Sequence, residues 1–194
     1  DNGSNLFIAG GGNDTLFFQT AGADTISGST VLGGAGNDSI LFNAQSAGAV
    51  QSGLIKGGAG NDVIRGEGQG DELFGGAGED TLEGGSGYDL LEGGEGHDQL
   101  YGGSYNDTLI GGDGDDTLDG GSGQDLLIGG KGSDVYVLSE GNDTIEGYKA
   151  GDQIVLSDEL KAAGLKKDDV RSESISVDGQ DAVRLSFEAN GKTH

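Results

Sequence analysis

Aspartate recurs every nine residues without a break at Asp62, Asp71, Asp80, Asp89, Asp98, Asp107, Asp116, Asp125, Asp134, Asp143 and Asp152. Self-similarity at a short fixed period marks a chain that coils on itself and stacks the coils. From residue 57 the units read GGAGNDVIR, GEGQGDELF, GGAGEDTLE and onward to GYKAGDQIV at 147–155, sharing the pattern GGxGxDxUx. The apolar or aromatic U is Ile64, Leu73, Leu82, Leu91, Leu100, Leu109, Leu118, Leu127, Tyr136, Ile145 and Ile154. With 43 glycines, 32% hydrophobic residues and a net charge of −24, the composition alone would suit a disordered chain. The strict register argues for a solenoid instead.

The pattern also dictates how one coil is built. In positions 7 to 9 the middle side chain points inward and its neighbours outward, as strand alternation requires, so each unit is expected to hold a three-residue strand. Glycine at positions 1, 2 and 4 permits the tight turn and the close backbone approach that a Cβ would block. Two units return the chain to its start, so coils of 18 residues stack as parallel strands about 4.8 Å apart. Aspartates of units n and n+2 then lie one above the other. Two unscreened carboxylates about 5 Å apart repel by about 3 kcal/mol at an effective dielectric constant near 20, so the stack needs a cation to close. Calcium suits such a place, because it takes six to eight oxygens and the turns offer carboxylates and main-chain carbonyls; magnesium, with its small octahedron and tightly held waters, suits it less.

These repeats resemble the RTX family, the calcium-binding β-roll modules of proteins exported through type I secretion systems. The resemblance is strict over residues 57–155 and implies an all-β, right-handed parallel β-roll or β-helix solenoid. It implies calcium held between units n and n+2 by both motif aspartates and by carbonyls of the glycine stretch: Gly58, Gly60, Gly76, Gly78, Gly85, Gly87, Gly94, Gly96, Gly112, Gly114, Gly121, Gly123, Gly130 and Gly132. Sequential pairing, from Asp62 with Asp80 to Asp134 with Asp152, gives nine candidate sites. Position 4 departs from glycine at Gln69, Tyr105 and Ala150, and one turn opens with Leu138-Ser139. The end sites and those using the turns at 66 and 102 are therefore the weaker candidates.

The flanks are less regular. Residues 1–56 carry related turns at Ala9 to Asp14, Gly22-Ala23-Asp24 and Gly33 to Asp38, read as wider coils with Asn43 to Ser52 as an excursion; Asp14 and Asp38 are weaker ligand candidates. Residues 1–148 hold three basic and 25 acidic side chains, whereas 149–194 hold seven and nine, so the tail is of different chemistry. There Gly147 to Leu156 is expected to continue the last strand. Ser157 caps a helix over Asp158 to Ala163 stopped by Gly164, and Leu165 to Val170 forms a further turn. Ser174 to Val177 and Ala182 to Phe187 form a hairpin around Asp178-Gly179, so that 156–194 caps the 57–155 roll. An end at Gly191-Lys192-Thr193-His194 suits an excised piece of a larger protein.

Several functions are disfavoured outright. Without Cys there is no disulfide scaffold, thiol chemistry or Cys-based zinc site. Ten Lys and Arg against 34 Asp and Glu leave no footprint for nucleic acid, and no apolar run is long enough to span a bilayer. His97, at a variable position, and His194 find no clustered Ser or Asp partner outside the repeat, and neither HExxH nor GxSxG occurs, so no enzyme is expected. The resemblance implies a module that folds on extracellular calcium after secretion, as the structural part of a larger secreted or cell-surface protein. Polysaccharide binding through Tyr88, Tyr101 and Tyr105, as in the roll modules of alginate epimerases, or a place in an adhesin or surface layer, remains open. The outward residues Phe74, Leu90, Ile110, Leu126 and Ile128 should line up as an apolar stripe, either covered by the C-terminal cap or the 43–52 excursion or docked against another domain or copy.

Overall fold

A computed structural model of the chain describes residues 5–20, 28–44, 53–68, 70–162, 170–177, 180–189 and 192–193. In chain order the strands are β1 (Leu6–Gly11), β2 (Thr15–Thr20), β3 (Thr30–Ala35), β4 (Ser39–Ala44), β5 (Leu54–Ala59), β6 (Val63–Gly68), β7 (Glu72–Ala77), β8 (Thr81–Ser86), β9 (Leu90–Glu95) and β10 (Gln99–Ser104). They continue as β11 (Thr108–Asp113), β12 (Thr117–Ser122), β13 (Leu126–Lys131), β14 (Val135–Leu138), β15 (Thr144–Glu146) and β16 (Gln153–Leu156). Odd-numbered strands pair in parallel in one sheet and even-numbered strands in the other, so the chain is an all-β parallel solenoid with two strands per coil.

Most strands are twice as long as the repeat suggests. Thr81–Ser86 runs through positions 7, 8 and 9 and on through both glycines to position 3 of the next unit. Glycine ends a strand only where its conformation breaks the ladder, and here Gly85 pairs in register with Gly103, so the extended run continues. The alternation therefore buries positions 6, 8 and 1 together. Position 8 forms two facing stacks: Val31, Ile55, Leu73, Leu91, Leu109, Leu127 and Ile145 from one sheet, Ile40, Ile64, Leu82, Leu100, Leu118 and Tyr136 from the other, all essentially inaccessible. At about 1.5–3 kcal/mol for each fully buried aliphatic side chain, these stacks supply the apolar driving force of a core only two side chains thick.

The N-terminal coils are wider, as expected, and remain in register with the roll. Leu6 pairs with Thr30 and Thr30 with Leu54, each a step of 24 residues, before the step falls to 18. Where the regular coil has a glycine after position 9, β2 and β4 continue into Phe18 and Phe42, whose rings stack at 4.6 Å while Phe7 meets Phe18 edge-on at 4.9 Å. Asn43 and Ala44 belong to β4 and not to an excursion, since they prolong the pairing with Gln19 and Thr20. Residues 45–52 and the turn at Asp24 lie outside the described residues.

At the other end, β15 stops at Glu146 and the chain turns before β16, so Gly147 to Asp152 does not continue a strand as expected. The helix α1 (Asp158–Ala162) follows, with Ser157 Oγ accepting a bond from the Leu160 N–H at 3.3 Å, the anticipated cap. Leu156 and Leu160 close the end of the core. The hairpin forms from β17 (Val170–Val177) and β18 (Gln180–Ala189), with Lys192–Thr193 as β19 beside β18. Strand β18 pairs antiparallel with β15, so the hairpin extends the first sheet and covers its edge. Ala163, Gly164 and residues 165–169 lie outside the described residues. The stripe of Phe74, Leu90, Ile110, Leu126 and Ile128 lies half-buried on the outer face of the first sheet, and the hairpin, joined edge-on, does not lie over it.

In the regular coils from Gly57 to Gly129, position 1 has no room for a Cβ. A Cβ on Gly93 would strike Asp98 Oδ2 and approach the Gly111 carbonyl oxygen to 2.7 Å, whereas a Cβ on Gly11 meets nothing. Gly93→Ala is expected to cost about 1–3 kcal/mol in calcium, read from thermal melts, and Gly11→Ala to stay within about 0.5 kcal/mol of the parent.

Candidate metal centre

Because position 6 points inward, the motif aspartates are buried on the flanks of the apolar stacks: Asp62, Asp71, Asp80, Asp89, Asp98, Asp107, Asp116, Asp125, Asp134 and Asp143 are at most 3% exposed. They are tied coil to coil through the main chain. Down each column the N–H of one aspartate donates to Oδ1 of the aspartate in the following coil. On one side this links Asp62 to Asp80 (2.7 Å), Asp80 to Asp98 (2.8 Å), Asp98 to Asp116 (2.9 Å), Asp116 to Asp134 (3.1 Å) and Asp134 to Asp152 (3.0 Å). On the other it links Asp71 to Asp89 (2.7 Å), Asp89 to Asp107 (2.8 Å), Asp107 to Asp125 (2.8 Å) and Asp125 to Asp143 (3.2 Å). The wide coils extend the first column: Asp14 donates to Asp38 at 2.8 Å and Asp38 to Asp62 at 2.7 Å. The second column starts at Asp71, because Gly53 stands in the preceding coil and supplies only its N–H, 3.0 Å from Asp71 Oδ1.

The second carboxylate oxygen is different. Oδ2 of Asp14, Asp38, Asp62, Asp80, Asp98 and Asp116 in one column, and of Asp89, Asp107 and Asp125 in the other, is buried with no hydrogen-bond partner. An unpaired buried carboxylate oxygen carries a heavy desolvation cost, and nine such oxygens stand in two rows, of the hard type that calcium takes as ligands. Main-chain oxygen lies close by. The point where a Cβ on Gly84 would sit is 2.5 Å from Asp89 Oδ2 and 2.8 Å from the carbonyl oxygen of Gly102, the first glycine of the next coil; at Gly102 the same distances, to Asp107 Oδ2 and the Gly120 carbonyl, are 2.5 and 2.7 Å. Among the described residues no three acidic or imidazole side chains converge. A cation here would take carboxylate oxygen and main-chain oxygen together.

The glycines singled out at positions 2 and 4 all have positive φ, from Gly58 at 123° and Gly60 at 120° to Gly130 at 98° and Gly132 at 109°. Their carbonyls run along the column: Gly76 O and Gly78 O abut the Cα atoms of Gly94 and Gly96 in the next coil. Position 1, expected only to permit the tight turn and close approach, also brings its carbonyls beside Oδ2. Its signal was the near-invariance of that glycine within the repeat.

Two places differ. In the irregular turn at 66, Glu67 adopts φ 55° and the N–H of Gly68 reaches Asp71 Oδ2 at 3.1 Å, so this carboxylate is satisfied by the main chain. At the last coil, Lys149 places Nζ 2.9 Å from Asp134 Oδ2, and its N–H donates to Asp152 Oδ2 at 2.9 Å. The turn at 102, also irregular in sequence, keeps the ordinary arrangement because Tyr105 accepts φ 83° in place of glycine.

The remaining candidates do not gather into a site. His97 is exposed and its Nδ1 accepts a bond from the Asp115 N–H at 2.8 Å, one rung of a position-5 ladder that includes Asn37 accepting from Asn61 at 3.0 Å. Tyr88 and Tyr105 lie side by side, 5.7 Å between ring centroids, while Tyr101 turns to Gln99 on the outer sheet face. No helix among the described residues is long and apolar enough to cross a membrane.

Burial, opposed by the N–H bond and reinforced by neighbouring carboxylates, pushes Asp80 and Asp107 up to about 7, Asp89 and Asp116 to about 6 and Asp143 to about 8. A carboxyl whose folded pKa is raised contributes stability that is full below its unfolded pKa near 4 and is lost as pH rises through the folded values. The metal-free roll is therefore expected to gain strand content and melting temperature as pH is lowered from about 8 to about 5.5 in a chelating buffer, followed by circular dichroism. Loss of structure over that interval would contradict it.

No curated protein matches the chain. The RTX calcium-binding nonapeptide repeat matches it over residues 1–18, 20–40, 54–82, 74–104, 92–127, 101–136 and 128–157, which includes the wide coils as well as the regular roll. With two columns of inward aspartates on a parallel solenoid and the repeat matched over most of its length, the chain belongs to the RTX calcium-binding nonapeptide repeat family.

Proposed function

We propose that this chain is a calcium-loaded structural module that stays unfolded at cytosolic calcium, passes through a type I secretion system and folds on meeting extracellular calcium, serving a larger secreted or cell-surface protein. The observation that carries the reading is the set of nine buried Oδ2 atoms without a protein partner, stacked in two rows of like charge that a divalent cation would both coordinate and offset. Each ion would be held by Oδ2 of a motif aspartate, by the aspartate stacked on it and by glycine carbonyls of the adjoining turns. Bound calcium supplies positive charge where the coils otherwise repel. The sites supported are those opening at Asp14, Asp38, Asp62, Asp80, Asp98 and Asp116 and at Asp89, Asp107 and Asp125. Compared with sequential pairing along the repeat, the two lower-numbered wide-coil sites join, and those opening at Asp71 and Asp134 drop out.

Extracellular calcium modules commonly bind with dissociation constants of about 10⁻⁴–10⁻³ M, far above resting cytosolic calcium, so metal binding and folding coincide outside the cell. Circular dichroism should show little strand in EGTA and a cooperative gain on adding about 10 mM calcium. Strand content untouched by the chelator would refute the reading. Asp98→Ala, which removes a ligand from two stacked sites, should lower both calcium stoichiometry and melting temperature, while Glu95→Ala at an exposed position should change neither measurably.

A further inference from the structure

The last rung of the first column is built from two carboxylates whose side chains are fully buried, Asp134 and Asp152, and from one amine. Lys149 Nζ lies 2.9 Å from Asp134 Oδ2 and 3.3 Å from Asp152 Oδ1, and the Lys149 N–H holds Asp152 Oδ2 at 2.9 Å. Every other member of this column from Asp14 to Asp116 leaves Oδ2 without a partner, so Asp134 departs from its row at the one place where an ammonium arrives.

The local sequence explains why the lysine turns inward. Lys149 occupies position 3, where Lys131 of an earlier unit reaches outward to Asp113 with its side chain 80% exposed. In the final unit, however, Tyr148 and Ala150 replace the glycines of positions 2 and 4, and the turn tightens so that residue 149 bonds residue 152. Tyr148 anchors it by donating its hydroxyl to the Asp152 carbonyl oxygen at 3.1 Å. Coordination chemistry favours the exchange. Calcium needs six to eight oxygens, and the outer turn of this rung has lost the glycines of positions 2 and 4 to Tyr148 and Ala150 while Asp152 Oδ2 is already engaged by the Lys149 N–H. An ammonium needs only a few acceptors and brings its own tether.

We propose that Lys149 is a built-in counter-cation, filling the Asp134/Asp152 site in place of calcium so that the protein itself supplies the positive charge of the terminal rung. The inference rests on the calcium reading of the other rungs. It makes the number of ions smaller than the stacked aspartate pairs would give, and it makes this rung indifferent to chelators.

Calcium bound at saturation, measured by equilibrium dialysis on the whole chain, tests it. Lys149→Met removes the amine without offering another donor and should raise the stoichiometry by one ion per chain. An unchanged or lower number in a variant with the parent's circular dichroism would overturn the proposal. Amine acetylation of the unmodified chain in saturating calcium, read residue by residue by mass spectrometry, gives a second answer that needs no variant. Lys149 should label about tenfold more slowly than Lys131, and labelling of Lys149 at the Lys131 rate once calcium is added would show that the metal displaces it. Failure of the calcium reading itself would look different, since the unmodified chain would then bind no calcium at all.

Discussion

Everything in this molecule depends on like charges being stacked inside it. The same two-residue alternation that buries the leucine at position 8 buries the aspartate at position 6, so each coil adds a carboxylate to the interior beside the one before. Only half of each carboxylate is satisfied by the protein: Oδ1 takes an N–H from the coil before, and Oδ2 in most rungs takes nothing. The protein thus fixes the position of the charge and leaves its neutralisation to something outside the chain. Under the proposed reading such a fold would depend on the supply of that cation.

The glycines follow from the same constraint and not from flexibility. At position 1 the carboxylate lies directly over the Cα, as Asp98 does over Gly93, and a methyl group would displace it. At positions 2 and 4 consecutive coils approach backbone to backbone, as Gly76 does to Gly94, with the positive φ that makes this approach possible. The apolar stacks contribute stability per coil and are one residue wide on each sheet, while every regular coil also brings two carboxylates inside.

The repeat unit, the 18-residue coil, the two columns and the inward ladder were legible in the sequence because each depends on a local period. What escaped depended on contacts between coils. The strands run to six residues, not three, since Gly85 and its equivalents keep their ladder partners in spite of being glycine. Asp14, Asp38 and Asp62 form one continuous column because two steps of 24 residues return the chain to the same place, whereas reading consecutive aspartates through Asp24 gave the uneven spacings 10, 14 and 24. Asp71 and Asp134 are set apart from their columns by single neighbours that occupy Oδ2, the Gly68 N–H and the Lys149 amine, and that no repeat pattern specifies. Irregular turns mark both places, whereas at Tyr105 a positive φ keeps the backbone of the regular turn.

Anomalous diffraction from crystals grown in calcium would locate the ions themselves. Two rows are expected, one beside Oδ2 of Asp14, Asp38, Asp62, Asp80, Asp98 and Asp116 and one beside Oδ2 of Asp89, Asp107 and Asp125. A roll that keeps this register in saturating calcium with no ion at those oxygens would contradict the calcium reading.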